Sequence, residues 1–184
     1  MSDSLNMLLD KLKKLYLLTL QKNGLSEKEY QALNAEHREL LDKKNNKYFL
    51  KEEYRKGIKV VLTGGVFDII HPGHIYTLRE AKKYGDLLVV VVATDETVKK
   101  IKKRNPIHPQ KLRVEMVNSV KYVDIAIAGK KDWRKILQKV DPDVVVFGYD
   151  QEVKEIQNVK IVKLKKFFSY KNSKTGKIRK ILGL

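Results

Sequence analysis

Hydrophobic positions follow different periods on the two sides of Gly57. After it, short apolar or β-branched runs alternate with segments of helical period. Strands are predicted at residues 58–63, 86–93, 123–127, 143–147 and, as an edge strand, 159–164, and helices at 75–84, 94–101, 110–120 and 132–140. The run DLLVVVVA is apolar on both faces, which is typical of a strand inside a parallel sheet. Residues 57–184 are therefore predicted to form an α/β domain, a doubly wound, Rossmann-like parallel sheet that binds ligands at the carboxyl ends of its strands.

Residues 1–56 have a helical pattern instead. Leucines at positions 5, 8, 12, 15 and 18 predict an amphipathic helix that ends at Gly24. Ser26 with Glu29 predicts a capping box for a second helix through about residue 42, followed by a polar turn at 43–47. We interpret this segment as a helical hairpin appended to the main domain. It could pack on that domain, form a homodimer contact or serve as a helix-turn-helix-like module.

Composition removes several classes of function. The chain has no cysteine, which excludes disulfides, thiolate zinc sites and a cysteine nucleophile. Its apolar runs are too short to cross a bilayer, and its first residues lack the features of a signal peptide, so we expect a cytoplasmic protein without a membrane partner. The net charge is +17, and residues 152–184 carry ten basic and two acidic side chains. This excess favours anionic ligands, although solvated lysines on helix faces explain much of it equally well.

The segment after the first strand of the main domain carries the clearest chemical signal. Gly64 and Gly65 allow a ligand to approach the backbone, and a second turn places His71 and His74 at the start of a helix. The segment matches neither a Walker A loop nor the dinucleotide G-x-G-x-x-G motif. Two histidines at a helix N-terminus can hold one phosphate together with free backbone N–H groups. The alternatives are a zinc pair, for which only His37, His108 and carboxylates remain as further ligands, and two structural histidines.

These residues resemble the signature of the cytidylyltransferase-like nucleotidyltransferases. The resemblance rests on G-x-F-D followed by H-x-G-H at residues 65–74. It continues in K-x-R-x-P-I-x-P at 102–109 with a later arginine, in V-D at 123–124, and in G-Y-D-Q at 148–151. It covers residues 57–184. The family's terminal I-S-T-[ST]-x-I element has only a partial counterpart in Ser173, Thr175 and Lys177.

The resemblance implies that a substrate phosphate attacks the α-phosphorus of a nucleoside triphosphate and releases pyrophosphate. His71, His74, Lys102 and Arg113 would be the catalytic residues, the last two by neutralising the β- and γ-phosphates. The implied nucleotide-binding residues are Thr63, Gly65, Val66, Phe67, His71, Gly73, His74, Gly148, Asp150, Ser173 and Thr175. A Mg²⁺ ion is expected with the triphosphate, and Asp68 would either help to hold it or orient the loop.

Within this family, the motifs most resemble archaeal members that adenylate FMN, which implies ATP and FMN as substrates and FAD as product. Phe167 and Phe168 could stack on a flavin or belong to the core. CTP with glycerol-3-phosphate and ATP with a sugar phosphate remain alternative substrate pairs. A module of another class, which senses nucleotides without turnover or binds nucleic acid, is the further alternative. Both histidines, Lys102 and Arg113 are present, which argues against a catalytically dead site.

Overall fold

In the computed structural model, residues 3–153 and 155–165 are described, and the chain divides into two compact units between Lys59 and Val60. The N-terminal unit contains four helices and a two-stranded sheet. They are α1 (Asp3–Lys22), α2 (Glu27–Gln31), α3 (Ala35–Glu39), β1 (Leu41–Lys44), β2 (Lys47–Leu50) and α4 (Glu52–Arg55). The leucine stripe predicted for α1 is buried in part: Leu12 and Leu15 are buried, whereas Leu5 and Leu8 near the start of the helix are exposed.

The second helix differs from the prediction. The capping box at Ser26 is present, but α2 ends after five residues. Asn34 begins a new helix because its side chain accepts a hydrogen bond from the backbone N–H of His37. Asn45 and Asn46 then adopt positive φ angles in a two-residue loop that joins β1 to β2, the conformation that asparagine favours in hairpins. The predicted helical hairpin is therefore one long helix followed by two short helices and a β-hairpin.

The α/β unit contains the predicted parallel sheet. Its elements are β3 (Val60–Gly65), α5 (Pro72–Lys82), β4 (Leu87–Val92), α6 (Asp95–Lys102), α7 (Gln110–Asn118), β5 (Ile125–Ala128), α8 (Arg134–Val140), β6 (Val144–Phe147) and β7 (Lys160–Lys163). The strand order is β5-β4-β3-β6-β7, and every neighbouring pair is parallel. This arrangement confirms the predicted α/β fold and places the last strand at an edge.

Strands are added to the sheet first on one side of β3 and then on the other. The chain runs outward from β3 through β4 to β5, and α8 then returns it to β6 on the other side of β3. One face of the sheet packs Val61, Val90 and Val144 against Leu78 of α5 and Val117 of α7. Right-handed crossovers place α8 on the opposite face. The carboxyl ends of β3 and β6 therefore flank the switch point at which such folds bind ligands.

Candidate active site

The loop after β3 is shaped by an unusual backbone conformation at Phe67. This residue has a φ of 52° and a side chain that is 2% exposed. Its ring lies so close to Gly65 that a Cβ atom there would sit 2.9 Å from it. A side chain at position 65 would thus collide with the ring, which explains the glycine in the G-x-F-D motif.

His71 and His74 meet at the N-terminus of α5. His71 is the N-cap residue in an extended conformation, Pro72 occupies the first turn, and the backbone N–H of His74 donates to the carbonyl of His71 at 2.9 Å. The two imidazole rings stack with centroids 3.7 Å apart, and Phe67 lies 5.0 Å from His74 on another side. A Cβ atom at Gly73 would lie 3.1 Å from Cε1 of His71, so this glycine permits the stacking.

The pKa of His74 is lowered from its ordinary value to about 3. Burial is the largest cause, and the neighbouring His71 and the positive charge of Lys102 act in the same direction, against a hydrogen bond to the backbone of Ile69. Nδ1 of His74 is buried and has no hydrogen-bond partner. The site therefore combines a neutral imidazole with positive charge nearby, and this arrangement suits an anionic ligand. The charge of Lys102, in the last turn of α6, therefore acts on His74.

Asp68 joins this loop to the segment that follows α6. Its carboxylate is 1% exposed, accepts a hydrogen bond from Arg104 at 2.7 Å and accepts two more from the backbone N–H groups of Ile107 and His108. Burial alone would raise the pKa of Asp68, but these hydrogen bonds outweigh it and lower the pKa below its ordinary value. With both oxygens engaged, the geometry supports loop orientation, one of the two roles expected for Asp68. In the part of the chain that the structure describes, no three acidic or histidine side chains cluster in a way that could hold a metal ion.

Arg113 has surroundings that sequence analysis did not anticipate. It is completely buried on α7, and its guanidinium donates to the backbone carbonyls of Val66, Ala93 and His108 at 2.5–2.9 Å. It also forms an ion pair with Asp95 at 2.6 Å. The resemblance implies a direct contact of Arg113 with phosphate, but here four of its five N–H donors bond to protein oxygens. The structure instead gives it the geometry of a positioning residue that holds three loops together.

The ends of β3 and β6 are joined by Gln151. Its side-chain carbonyl accepts from the N–H of Gly148 at 2.6 Å, and its amide donates to the carbonyl of Gly64 at 2.9 Å. The hydroxyl of Thr63 donates to the carbonyl of Val146, so this predicted nucleotide-binding side chain is used within the sheet. Asp150 lies exposed in the loop after β6, close to Gly148. Gln151 belongs to the G-Y-D-Q motif, but the sequence alone predicts no role for its side chain.

Ser173, Thr175 and Lys177, and the aromatic pair Phe167 and Phe168, lie outside the described residues. Within the described ranges, none of the helices is long and apolar enough to span a membrane.

A glycine-rich turn, two stacked histidines at a helix start and a lysine whose charge acts on them form the arrangement expected of a nucleotidyltransferase site. Residues 62–180 match the model of the cytidylyltransferase-like family, and the chain belongs to that family.

The relatives of this chain include several archaeal FAD synthases. The chain is 47% identical over 133 residues to the FAD synthase of Aciduliprofundum boonei, an alignment that spans 66% of this chain and 87% of the relative. It is 41% identical over 140 residues to that of Thermococcus kodakarensis, spanning 69% of this chain and 93% of the relative. A solved structure, described as a lipopolysaccharide core biosynthesis protein from Thermoplasma volcanium, has a TM-score of 0.57 and 40% identity. It covers 60% of this chain and 99% of the other chain.

Proposed function

We propose that this chain is an FMN adenylyltransferase, which converts ATP and FMN into FAD and pyrophosphate. The observation that carries the proposal is the stacked pair of His71 and His74 at the start of α5, in a chain whose relatives include archaeal FAD synthases at 41–47% identity. The family membership supports the transfer of a nucleotidyl group. The relatives support ATP as the donor of that group and FMN as its acceptor.

The reaction needs little covalent chemistry from the protein. An oxygen of the FMN phosphate attacks the α-phosphorus of ATP, the bond from that phosphorus to the bridging oxygen breaks, and pyrophosphate leaves with the electron pair. The attacking phosphate is already an anion, so no side chain has to remove a proton. Positioning and charge stabilisation then account for the catalysis.

We assign the stabilisation of the triphosphate to His71, His74 and Lys102. The two imidazoles and the N-terminus of α5 would contact the phosphates, and Lys102 would neutralise the charge that develops on pyrophosphate. Arg113 and Asp68 would act through the loops that they hold. A Mg²⁺ ion, expected with the triphosphate, would supply further charge neutralisation.

The base of the nucleotide is assigned to the loop after β6, where Gly148 and Asp150 lie at the switch point. A site built for adenine rejects cytosine strongly, because each buried polar group left without a partner costs about 1–3 kcal/mol. We further infer that the enzyme works in the cytoplasm.

The proposal is tested by incubating the full chain with Mg²⁺, FMN and either ATP or CTP, and by resolving the flavins by chromatography. We expect FAD with ATP and no flavin product with CTP. His74→Ala should reduce the activity about 100- to 1000-fold, whereas His37→Ala, a change in the N-terminal unit, should retain it. Parallel reactions contain a sugar phosphate or glycerol-3-phosphate as acceptor. Products from these acceptors together with no FAD would contradict the assignment of FMN.

A further inference from the structure

The α/β unit contains a cavity on the face of the sheet opposite α5. Its volume is about 260 Å³, and it lies between the start of α8 and the carboxyl ends of β3 and β6. We call it the α8 pocket. Its lining includes Lys130, Trp133, Ile136, Leu137, Phe147 and Gln151. None of the catalytic assignments above uses it.

The α8 pocket and the loop that carries the histidines meet at the two glycines that end β3, Gly64 and Gly65. Gly64 lines the pocket, and the next residues lead into the loop that carries Phe67 and His71. A single displacement at phosphorus requires the attacking and leaving oxygens to lie roughly in line on opposite sides of the reacting atom. If pyrophosphate leaves on the side of α5, the acceptor must approach from the side of the α8 pocket.

The walls of the α8 pocket favour a large, partly apolar ring. Ile136, Leu137 and Phe147 supply apolar surface. The amide of Gln151 already bonds to Gly148 and Gly64, and the hydroxyl of Thr63 bonds to Val146. Adenine, which has polar atoms around most of its edge, would find few partners here. The isoalloxazine ring of a flavin is different, because its dimethylbenzene half is apolar and its polar half can remain at the mouth.

Two residues at the edge of the α8 pocket match the rest of such a ligand. Trp133 is 40% exposed and offers an aromatic face for stacking. Lys130 is the one charged side chain among the described residues that line the pocket, and it is exposed to solvent. An ammonium group in this position attracts a phosphate-bearing chain that extends from the ring.

We propose that the α8 pocket binds the isoalloxazine ring of FMN, with Trp133 as its stacking partner and Lys130 beside the phosphate-bearing chain. This inference rests on the proposed function and extends it by assigning the acceptor subsite. It makes Trp133 a specificity-determining residue that the family motifs do not include.

The first test measures binding of the ring alone. Lumiflavin, which has the ring without a phosphate, is titrated into the full chain without ATP, and flavin fluorescence is followed. Trp133 is the single tryptophan of the chain, so quenching by contact with indole can be assigned to it. We expect Trp133→Ala to weaken binding about tenfold, as is typical for the loss of one stacking partner, and Trp133→Phe to retain most of the affinity. Leu112→Ala, a change at a similarly exposed residue (44%) outside the pocket, should bind like the wild type.

The second test measures kinetics with both substrates. Trp133→Ala should raise the KM for FMN about tenfold and leave the KM for ATP within about twofold. Leu137→Phe, which narrows the cavity from α8 without altering Trp133, should also raise the KM for FMN. A rise in the KM for ATP alone would place adenine in the pocket and overturn the inference, as would unchanged constants in both variants.

The two tests separate this inference from the proposed function. If the wild type makes no FAD but binds lumiflavin in a manner that depends on Trp133, the pocket is a flavin-ring site and the proposed reaction is wrong. If FAD forms while Trp133→Ala changes neither lumiflavin binding nor the KM for FMN, the proposed reaction is supported and the assignment of the pocket is wrong.

Discussion

Replacing Arg113 with methionine should lower the stability of the α/β unit, because Arg113 bonds to the protein itself. The guanidinium is fully buried and donates to three backbone carbonyls and to Asp95. Methionine fills a similar volume but donates no hydrogen bond, so the carbonyls of Val66, Ala93 and His108 lose their charged donor. These carbonyls belong to the loop after β3, the end of β4 and the segment before α7.

The expected loss of stability is about 3–5 kcal/mol, the usual range for breaking a buried charged network from one side. This is a large part of the 5–15 kcal/mol that stabilises an ordinary domain, and it should lower the Tm by about 10 °C or more. Arg113→Lys keeps the charge but cannot reach three carbonyls with one ammonium group, so it should lie between the wild type and methionine. Asp95→Asn should cost about 1 kcal/mol or less, because the side chain of Asp95 is 47% exposed.

Thermal and urea unfolding followed by the fluorescence of Trp133 measures these changes, since the single tryptophan reports on the α/β unit. The kinetic constants of the same variants provide the comparison. If Arg113→Met unfolds within about 0.5 kcal/mol of the wild type yet loses its turnover, Arg113 contacts phosphate directly, as the family resemblance implies, and the positioning role is refuted.

Three further predictions address other parts of the chain. His74→Ala should reduce kcat about 100- to 1000-fold with a smaller change in the KM for ATP, and a near-normal kcat would remove His74 from the mechanism. Because the pKa of His74 falls from 6.5 in the unfolded chain to about 3 in the folded one, its neutral form stabilises the fold above pH 6.5. This stability should be lost by up to about 1.4 kcal/mol per pH unit as the pH falls toward 3, and His74→Asn should flatten that slope in pH-dependent unfolding. Residues 57–184 alone should fold and bind ATP, measured by calorimetry, and a folded truncation that binds no nucleotide would assign part of the site to the N-terminal unit.

The pattern of hydrophobic positions was enough to predict the strands of the parallel sheet. Runs such as residues 86–93 are apolar on both faces, and few structures other than a central parallel strand bury such a run. The same reasoning located the histidines, because their turn follows the first strand directly. In the N-terminal unit, the period was a poor guide beyond α1. Asn34 and the pair Asn45–Asn46 carry local capping and turn signals that interrupt the helix, and these outweighed the spacing of the leucines.

The roles of individual polar side chains were harder to predict from the sequence. Arg113 and Lys102 look alike as basic residues within a motif, but one is buried among carbonyls and the other is exposed near the histidines. This difference depends on where distant loops place their carbonyl oxygens, which no local pattern encodes. The same holds for Gln151, whose partner Gly64 lies 87 residues earlier in the chain. The α8 pocket also forms only when β3, β6 and α8 come together.

The most direct test of the account follows the phosphates of ATP. The full chain is incubated with FMN, Mg²⁺ and ATP that carries a radioactive α-phosphate, and a parallel reaction uses ATP labelled at the γ-phosphate. We expect one α-label in each FAD formed, an equal amount of pyrophosphate that contains the γ-label, and formation of both products slowed about 100- to 1000-fold in His74→Ala. Transfer of the γ-label to the flavin, or a flavin without the α-label while CTP labels glycerol-3-phosphate, would contradict the account.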